Sequence, residues 1–539
     1  MNNTEKKNAS ELGKGPPEAL DISLADPAFI LPASTPTPNQ PALSAPEQLE
    51  AIGEDDALPL NWSETRKWLI VVTISGMSFI VRITWTDLRS LNSNLSTVIC
   101  APASLQIEQE LGFRSDFLAT FYITVWDLGE AIAPLYIGPL SERIGRFPVY
   151  HFYNVLFIIF TIVTGFSNSI GMIIAFRFLT GMATTSICLN PSIVGDMFPV
   201  QTRGAAMSIM SLMPLVGTAV GPIVGGYVTQ RLNWRWTFWL TGILTGIVEL
   251  SMLLVFRETY LPHILRQRAK KAAARSVSVA THTGKKAKHP LYMLPLVVLR
   301  FLLQPFVILL GSRAATTVAL YLSIIYAYLF LLAATLATVF QEIYSFSETN
   351  SGLVYLGLAT GMFIGTLICR FTLDRFIVKK TTTVQGNSDA SASGAPISAH
   401  PERRLIPAIP SMVILPAALF LYGWTLQVQA HWAVPAVATA LAGFCLSTTT
   451  IPIMNYLVDV FGDLSASAVA AVLPLRYVIG TFLPVAAPYM YSRLGYGWAN
   501  SLLAFILIIC VPAPLLLIIP PKKNSIWAKL AHLVGGRNA

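Results

Sequence analysis

The stretch LVGTAVGPIVGGYV, residues 215 to 228, carries no charge, yet four of its fourteen positions are glycine (Gly217, Gly221, Gly225, Gly226) and one is proline (Pro222). In a soluble helix this would be self-defeating, because glycine is the poorest ordinary helix former and proline removes a backbone hydrogen bond. A bilayer changes the balance. Hydrocarbon enforces helical backbone, and neighbouring helices compensate for the bend at a proline. Gly217, Gly221 and Gly225 fall at i, i+4 and i+8, one helical face on which another helix can approach closely. The stretch reads as a membrane helix built for close packing.

The rest of the chain agrees. Of its 539 residues, 54% are hydrophobic and 12% charged, with mean hydropathy +0.59, whereas soluble domains carry about 25% charged residues. Twelve apolar runs begin near Trp68, Phe117, Val149, Ile170, Ala205, Trp236, Val318, Ser351, Pro407, Trp432, Ala466 and Trp498. A spanning helix needs about 20 apolar residues. The longest polar gap, 257–300, separates the sixth run from the seventh. The expected fold is an all-α polytopic membrane protein of twelve transmembrane helices in two six-helix halves.

Its segments are a polar tail over 1–60, a first half over 61–256, a basic middle loop over 257–300 and a second half over 301–520. A low-complexity loop over 379–404 and a basic tail over 521–539 complete the layout. The polar stretch 82–93, RITWTDLRSLNS, interrupts the first run. It reads either as an external excursion or as a translated remnant of an unspliced intron. The sequon at Asn94 is a glycosylation site only in the first case.

Charge sets the orientation. The middle loop holds ten Lys/Arg from Arg257 to Arg300 against the single acid Glu258, and the tail after Pro521 holds four basic residues and no acid. By the positive-inside rule these segments, and with them both termini, are cytoplasmic. The net charge of +9 is therefore a topology signal, and no nucleic-acid partner is expected. The five cysteines stand singly in or beside apolar runs, so neither disulfides nor a metal site is expected. No GxxxxGK[ST], HxxxH or GxSxG occurs, which argues against an ATP-driven pump and against an enzyme.

The halves look related. Asp196 and Phe198 in GDMFPVQTRGAAMS match Asp459 and Phe461 in VDVFGDLSASAVAA, and the acid–Arg pair Glu142–Arg143 matches Asp374–Arg375. Parallel six-helix repeats place a substrate site near the midplane between them.

Several intramembrane charges carry chemistry. FYITVWDLGEAIAPL sets Asp127 and Glu130 three residues apart on roughly one face. Desolvation and mutual repulsion favour a proton on at least one of them, which suits a proton carrier or a site for a cation, while pairing with Arg177 to hold the bundle is the plainer alternative. Arg177 lies inside FRFLTGMA, where an unpaired cation costs several kcal/mol. Glu249 and Arg476 are further charges that either pair structurally or line the cavity. Tyr122, Trp126 and Tyr326, with Arg476, are the candidate cavity residues; belts and packing explain most other aromatics.

Two motifs give direction. GPLSERIGR supplies a gate-like joint from Gly138, Glu142, Arg143, Gly145 and Arg146, and it resembles the loop signature of the major facilitator superfamily, with Glu142 in place of Asp and Phe147 in place of the last basic residue. The run from Gly217 to Gly226 with Pro222 resembles the antiporter signature of that superfamily's drug:proton exporters, with Ser208 in place of an earlier glycine. FRFLTGMA is similar to the fourth-span pattern of the same exporters, whose Arg is implicated in proton transfer; Thr180 replaces a Gln. NWSETRKW, NPSIVGDMFP, NWRWTFW and LRYVIGTFLPVAAPYMYSRLGYGW extend the likeness to the fungal twelve-span branch over about residues 58 to 520.

The resemblance implies a central cavity, alternating access, and export of an amphipathic drug or toxic secondary metabolite in exchange for protons. It implies no cofactor, a plasma-membrane (alternatively vacuolar) location and a monomer whose partners are substrate, protons and lipid. Asp127, Glu130 and Arg177 would couple protonation to opening, and the glycine face of the fifth span would pivot against the other half. A polyamine or organic-cation exporter, and a non-transporting sensor of the same fold, stand as alternatives.

Overall fold

The computed structural model describes residues 58–89, 110–112, 116–277, 294–346, 354–385 and 401–518. The tail before residue 58, residues 90–93, the Asn94 sequon, residues 386–400 of the low-complexity loop and the tail from 521 lie outside them.

The first half contains α1 (Glu64–Arg89), α2 (Asp116–Ile144), α3 (Arg146–Gly165), α4 (Ile170–Met182), α5 (Ser186–Met197), α6 (Val200–Arg231) and α7 (Trp234–Val255). α1 runs unbroken to Arg89, so residues 82–89 continue the helix where an interruption was expected. The physical reason is local: RITWTDLR contains neither glycine nor proline, and nothing in it terminates a helix. The fourth span is divided at residues 183–185 into α4 and α5. There the Thr184 hydroxyl donates back to the Thr180 carbonyl at 3.3 Å, and the Thr185 hydroxyl leaves the helix to donate to Asn154 Oδ1 at 2.9 Å.

Two helices lie between the halves, α8 (Leu261–Val277) and α9 (Leu294–Gly311). α9 is a correction to the expected boundary, because an apolar helix begins inside the stretch read as loop. It is set apart from the next helix by Ser312, whose Oγ accepts the Ala315 amide at 3.3 Å and starts a new helix. The second half comprises α10 (Arg313–Tyr344), α11 (Tyr355–Gln385), α12 (Ile409–Gln427), α13 (Ala433–Phe461), α14 (Ser465–Cys510) and α15 (Pro512–Ile518). α14 is two helices joined at Gly495, whose φ of 74° only glycine adopts cheaply.

Eight stretches among the described residues are long and apolar enough to cross a membrane by length and composition, one of them covering α13 together with the first part of α14. With α1, α2 and α6 they make twelve spans. Their amphipathicity is inverted. On α7, Ile243, Ile247, Leu250 and Leu254 face outward, Leu254 at 83% exposure, while Thr241, Thr245 and Glu249 are buried. Only a hydrocarbon solvent makes that arrangement favourable.

Packing repeats between the halves. α1 packs on α6, α2 on α4 and α3 on α7; correspondingly α10 packs on α14, α11 on α13 and α12 on α14. The halves meet through two equivalent seams, α2 with α14 and α6 with α11.

Candidate functional site

One end of the bundle carries two polar locks across these seams. In the first, Glu142 at the end of α2 accepts the Ser467 backbone N–H at 2.8 Å and the Ser467 hydroxyl at 2.6 Å, so a carboxylate of one half caps the first turn of a helix of the other. Gln304 of α9 donates to the same carboxylate at 3.4 Å. The approach requires Gly138, since a Cβ there would stand 2.8 Å from the Ala466 carbonyl oxygen. Burial pushes the Glu142 carboxyl up to about 7, against the pull of Arg146 and the Ser467 bonds.

Arg146, wholly buried, holds the joint together. Its Nε donates to Asp196 at 3.2 Å, its Nη1 donates to Ser141 at 2.7 Å, and its guanidinium lies 4.8 Å over the Tyr260 ring. Glu258 accepts the Arg146 amide at 2.8 Å, close beside Gly145, whose φ is 110°. A side chain at Gly145 would collide with that carboxylate. Arg143 is exposed on the outside of the joint.

The second lock mirrors the first. Asp374 at the end of the eighth span accepts the backbone N–H groups of Gly204 and Ala205 at 3.0 and 2.9 Å, in the opening turns of α6. Arg404 takes the place of Arg146: it donates to Asp374 at 2.9 Å, to Asp459 at 2.8 Å, and to the Val200 carbonyl. Arg203 ties Asp459 to the first half and donates to the Gly195 carbonyl at 2.9 Å. Asp374, Arg404, Asp459, Arg203 and Ser467 were not singled out as gate residues from sequence. The internal repeat was the available signal, but Arg404 lies 30 residues beyond Asp374, whereas Arg146 follows Glu142 by four, so the loop insertion hides the motif.

Above the locks lies a cavity of ≈ 200 Å³ lined by residues of both halves. Ser78 and Arg82 come from α1, Asn190 from α5, Met207 and Met210 from α6. Tyr326, Met362, Met454 and Arg476 come from the second half. Of the four candidate cavity residues, Tyr326 and Arg476 line it; Tyr122 and Trp126 do not appear in its wall. Tyr122 packs with Ile173, Trp234 and Phe238, and Trp126 meets Phe157 edge-on at 5.7 Å.

The charged residues near the cavity sort by position. Asp127 and Glu130 are both buried on α2, Glu130 at 2% exposure. Its polar neighbours are Trp126 and Tyr477, and the charges of Arg82 and Asp127 act on it. Tyr477 in turn accepts a hydrogen bond from Arg476 at 2.7 Å, so Glu130 and the cavity guanidinium share one phenol across the seam. Arg177 is buried with its guanidinium 5.4 Å over Trp126.

Glu249 pairs inside the first half. It meets His151 Nδ1 at 2.5 Å and accepts from Asn154 at 2.7 Å; Asn154 continues to Thr185, and Tyr150 donates to Asn190 on the cavity wall at 2.9 Å.

The glycine face of α6 also has a definite partner. A Cβ at Gly217 would lie 2.6 Å from the Phe79 carbonyl oxygen of α1. At Gly217 this face therefore closes on its own half, where the expectation was a pivot against the other. The cross-half contact belongs to the start of the same helix, around Gly204. Gly221 is buried, and Pro222, Gly225 and Gly226 continue the helical backbone.

A helical bundle of two repeated halves around a shared cavity is an architecture that secondary transporters use. The family model of the Major Facilitator Superfamily matches residues 90–484. The MFS-type transporter hepF of Aspergillus oryzae is 37% identical over 463 residues, covering 85% of this chain and 90% of that one. The efflux pump radE of Floropilus chiversii is 36% identical over 466 residues, covering 86% and 82%. Among solved structures, the proton:xylose symporter XylE superposes with a TM-score of 0.64 at 13% identity, over 87% of this chain and 99% of that one. The chain belongs to the Major Facilitator Superfamily; it is a multi-pass membrane transporter and not an enzyme.

Proposed function

We propose that the protein exports an amphipathic small molecule, of the drug or secondary-metabolite kind, in exchange for protons by alternating access. The observation that carries the reading is the cavity shared by both halves and shut at one end by two equivalent cross-half locks. Each lock is a carboxylate on a helix start, which can open and close as a unit. The positive-inside rule supports a cytoplasmic position for that end and for both termini, which on this reading makes the conformation outward-facing. Export agrees with the name of the relative called an efflux pump. The pump works as a monomer in the plasma membrane and needs no cofactor beyond the proton gradient.

Glu130 is the proposed proton carrier, with Asp127 beside it and Arg177 steadying the same helix. An ionised carboxylate buried this deeply is costly in hydrocarbon, and Tyr477 connects this group to the cavity. The test is transport in proteoliposomes with an imposed pH gradient, using dyes, polyamines and polyketide-like metabolites. Gradient-driven movement should disappear in Glu130→Gln while substrate counterflow persists. Intact gradient-driven movement in that variant removes Glu130 from the coupling. No movement of any compound by correctly inserted protein would favour the sensor reading.

A further inference from the structure

The charge of the cavity wall identifies what it holds, on the reading that this cavity is the transport site. Two guanidiniums, Arg82 and Arg476, line the wall, and no carboxylate does so among the described residues. Asp127 and Glu130, the residues that would suit a cation, stand outside it.

Arg476 is the more informative of the two. It is 2% exposed, makes no ion pair within 4.0 Å among the described residues, and leaves its Nε–H without an acceptor. Its hydrogen bond goes to the Tyr477 phenol, and its guanidinium lies 3.9 Å over the Tyr326 ring, which fixes its plane against the cavity. The field of Glu130 reaches it from behind Tyr477. A buried guanidinium is weakly hydrated, planar and always charged, so it is completed by an oxygen anion. The remaining wall is apolar, with Met207, Met210, Met362 and Met454 offering a deformable, polarisable surface. An engineered apolar cavity of about 150 Å³ admits benzene, so ≈ 200 Å³ suits a body of one to two rings.

We propose that the cavity takes an amphipathic organic acid, a carboxylate, enolate or phenolate on an apolar ring body, with its acidic oxygen on Arg476 and its rings among the methionines. An organic cation of the same bulk would meet the Arg476 guanidinium and no carboxylate in the wall among the described residues.

The test uses the full-length protein in detergent with no gradient, titrated calorimetrically with 1-naphthylacetate, its methyl ester and 1-naphthylethylamine. The acid should bind at least tenfold more tightly than either neighbour. Arg476→Gln should remove that preference, weakening the acid at least tenfold more than the ester, and Arg476→Lys, which keeps the charge, should retain part of it. An amine that binds as well as the acid, an acid that shows no saturable binding, or acid affinity unaltered in Arg476→Gln each overturns the proposal. Because binding is read without transport, loss of proton coupling in the vesicle experiment leaves this result standing, and the reverse also holds.

Discussion

Replacing Asp374 by Asn tests whether the cross-half locks hold one end shut. Asp374 accepts two backbone N–H groups of α6, at 3.0 and 2.9 Å, and pairs with Arg404, which is fully buried. The amide keeps one acceptor oxygen but turns an NH₂ toward the second backbone donor and loses the charge facing Arg404. Hydrogen bonds to a charged group are worth about 1.5–3 kcal/mol each. Once the halves separate, water solvates Asp and Asn about equally well. The closed state should therefore lose about 2–3 kcal/mol relative to the open one, which raises the open population roughly 30- to 150-fold. Cys188 reports it when the halves part as units: its buried thiol lies 3.5 Å from the Ala466 carbonyl of the other half, beside the first lock. With Cys100, Cys369, Cys445 and Cys510 replaced by Ser, alkylation of Cys188 follows the open population as long as reclosing is faster than labelling. A monodisperse Asp374→Asn protein whose labelling rate stays within about threefold of the parent would refute the lock.

Two further outcomes follow from the same geometry. The closed state holds the Glu142 carboxyl at about 7, whereas opened to water it returns to about 4.3. The closed state thus binds the proton more tightly, and closure is favoured by acid and loses that advantage as pH rises through about 7. Cys188 labelling, referenced to the same thiol in unfolded protein, should rise from about pH 6 to about pH 8, and Glu142→Gln should flatten the slope; an unchanged slope in that variant speaks against the assignment. For the buried pair of His151 and Glu249, at 2.5 Å, removing either partner should cost about 3 kcal/mol. The double variant should cost less than the sum, with coupling of about 1–3 kcal/mol in SDS-denaturation cycles. Strict additivity would show that the two do not interact.

Much of this protein is written in one dimension. Hydrocarbon requires runs of about 20 apolar residues with their backbone satisfied internally, so span count and class follow from composition along the chain. Repeated residues such as Asp196 and Asp459 disclose the two halves because each half repeats the same local problem. Glu142 and Arg146 were legible as a gate because they sit within one short joint.

The tertiary structure decided what depends on residues distant in sequence. Glu142 caps a helix that begins more than three hundred residues later, and Arg404 reaches Asp374 across an inserted loop, so neither partnership has a spacing to read. Depth had the same limit. Helical periodicity placed Asp127, Glu130, Trp126 and Tyr122 on α2, but which of its faces meets the cavity is set by how that helix packs on α4 and α14. That packing left both acids behind the wall and brought Arg82 and Arg476 into it. Composition and patterning along the chain determined a membrane transporter with buried charge of both signs; only the packing of the two halves determined which of those charges line the cavity.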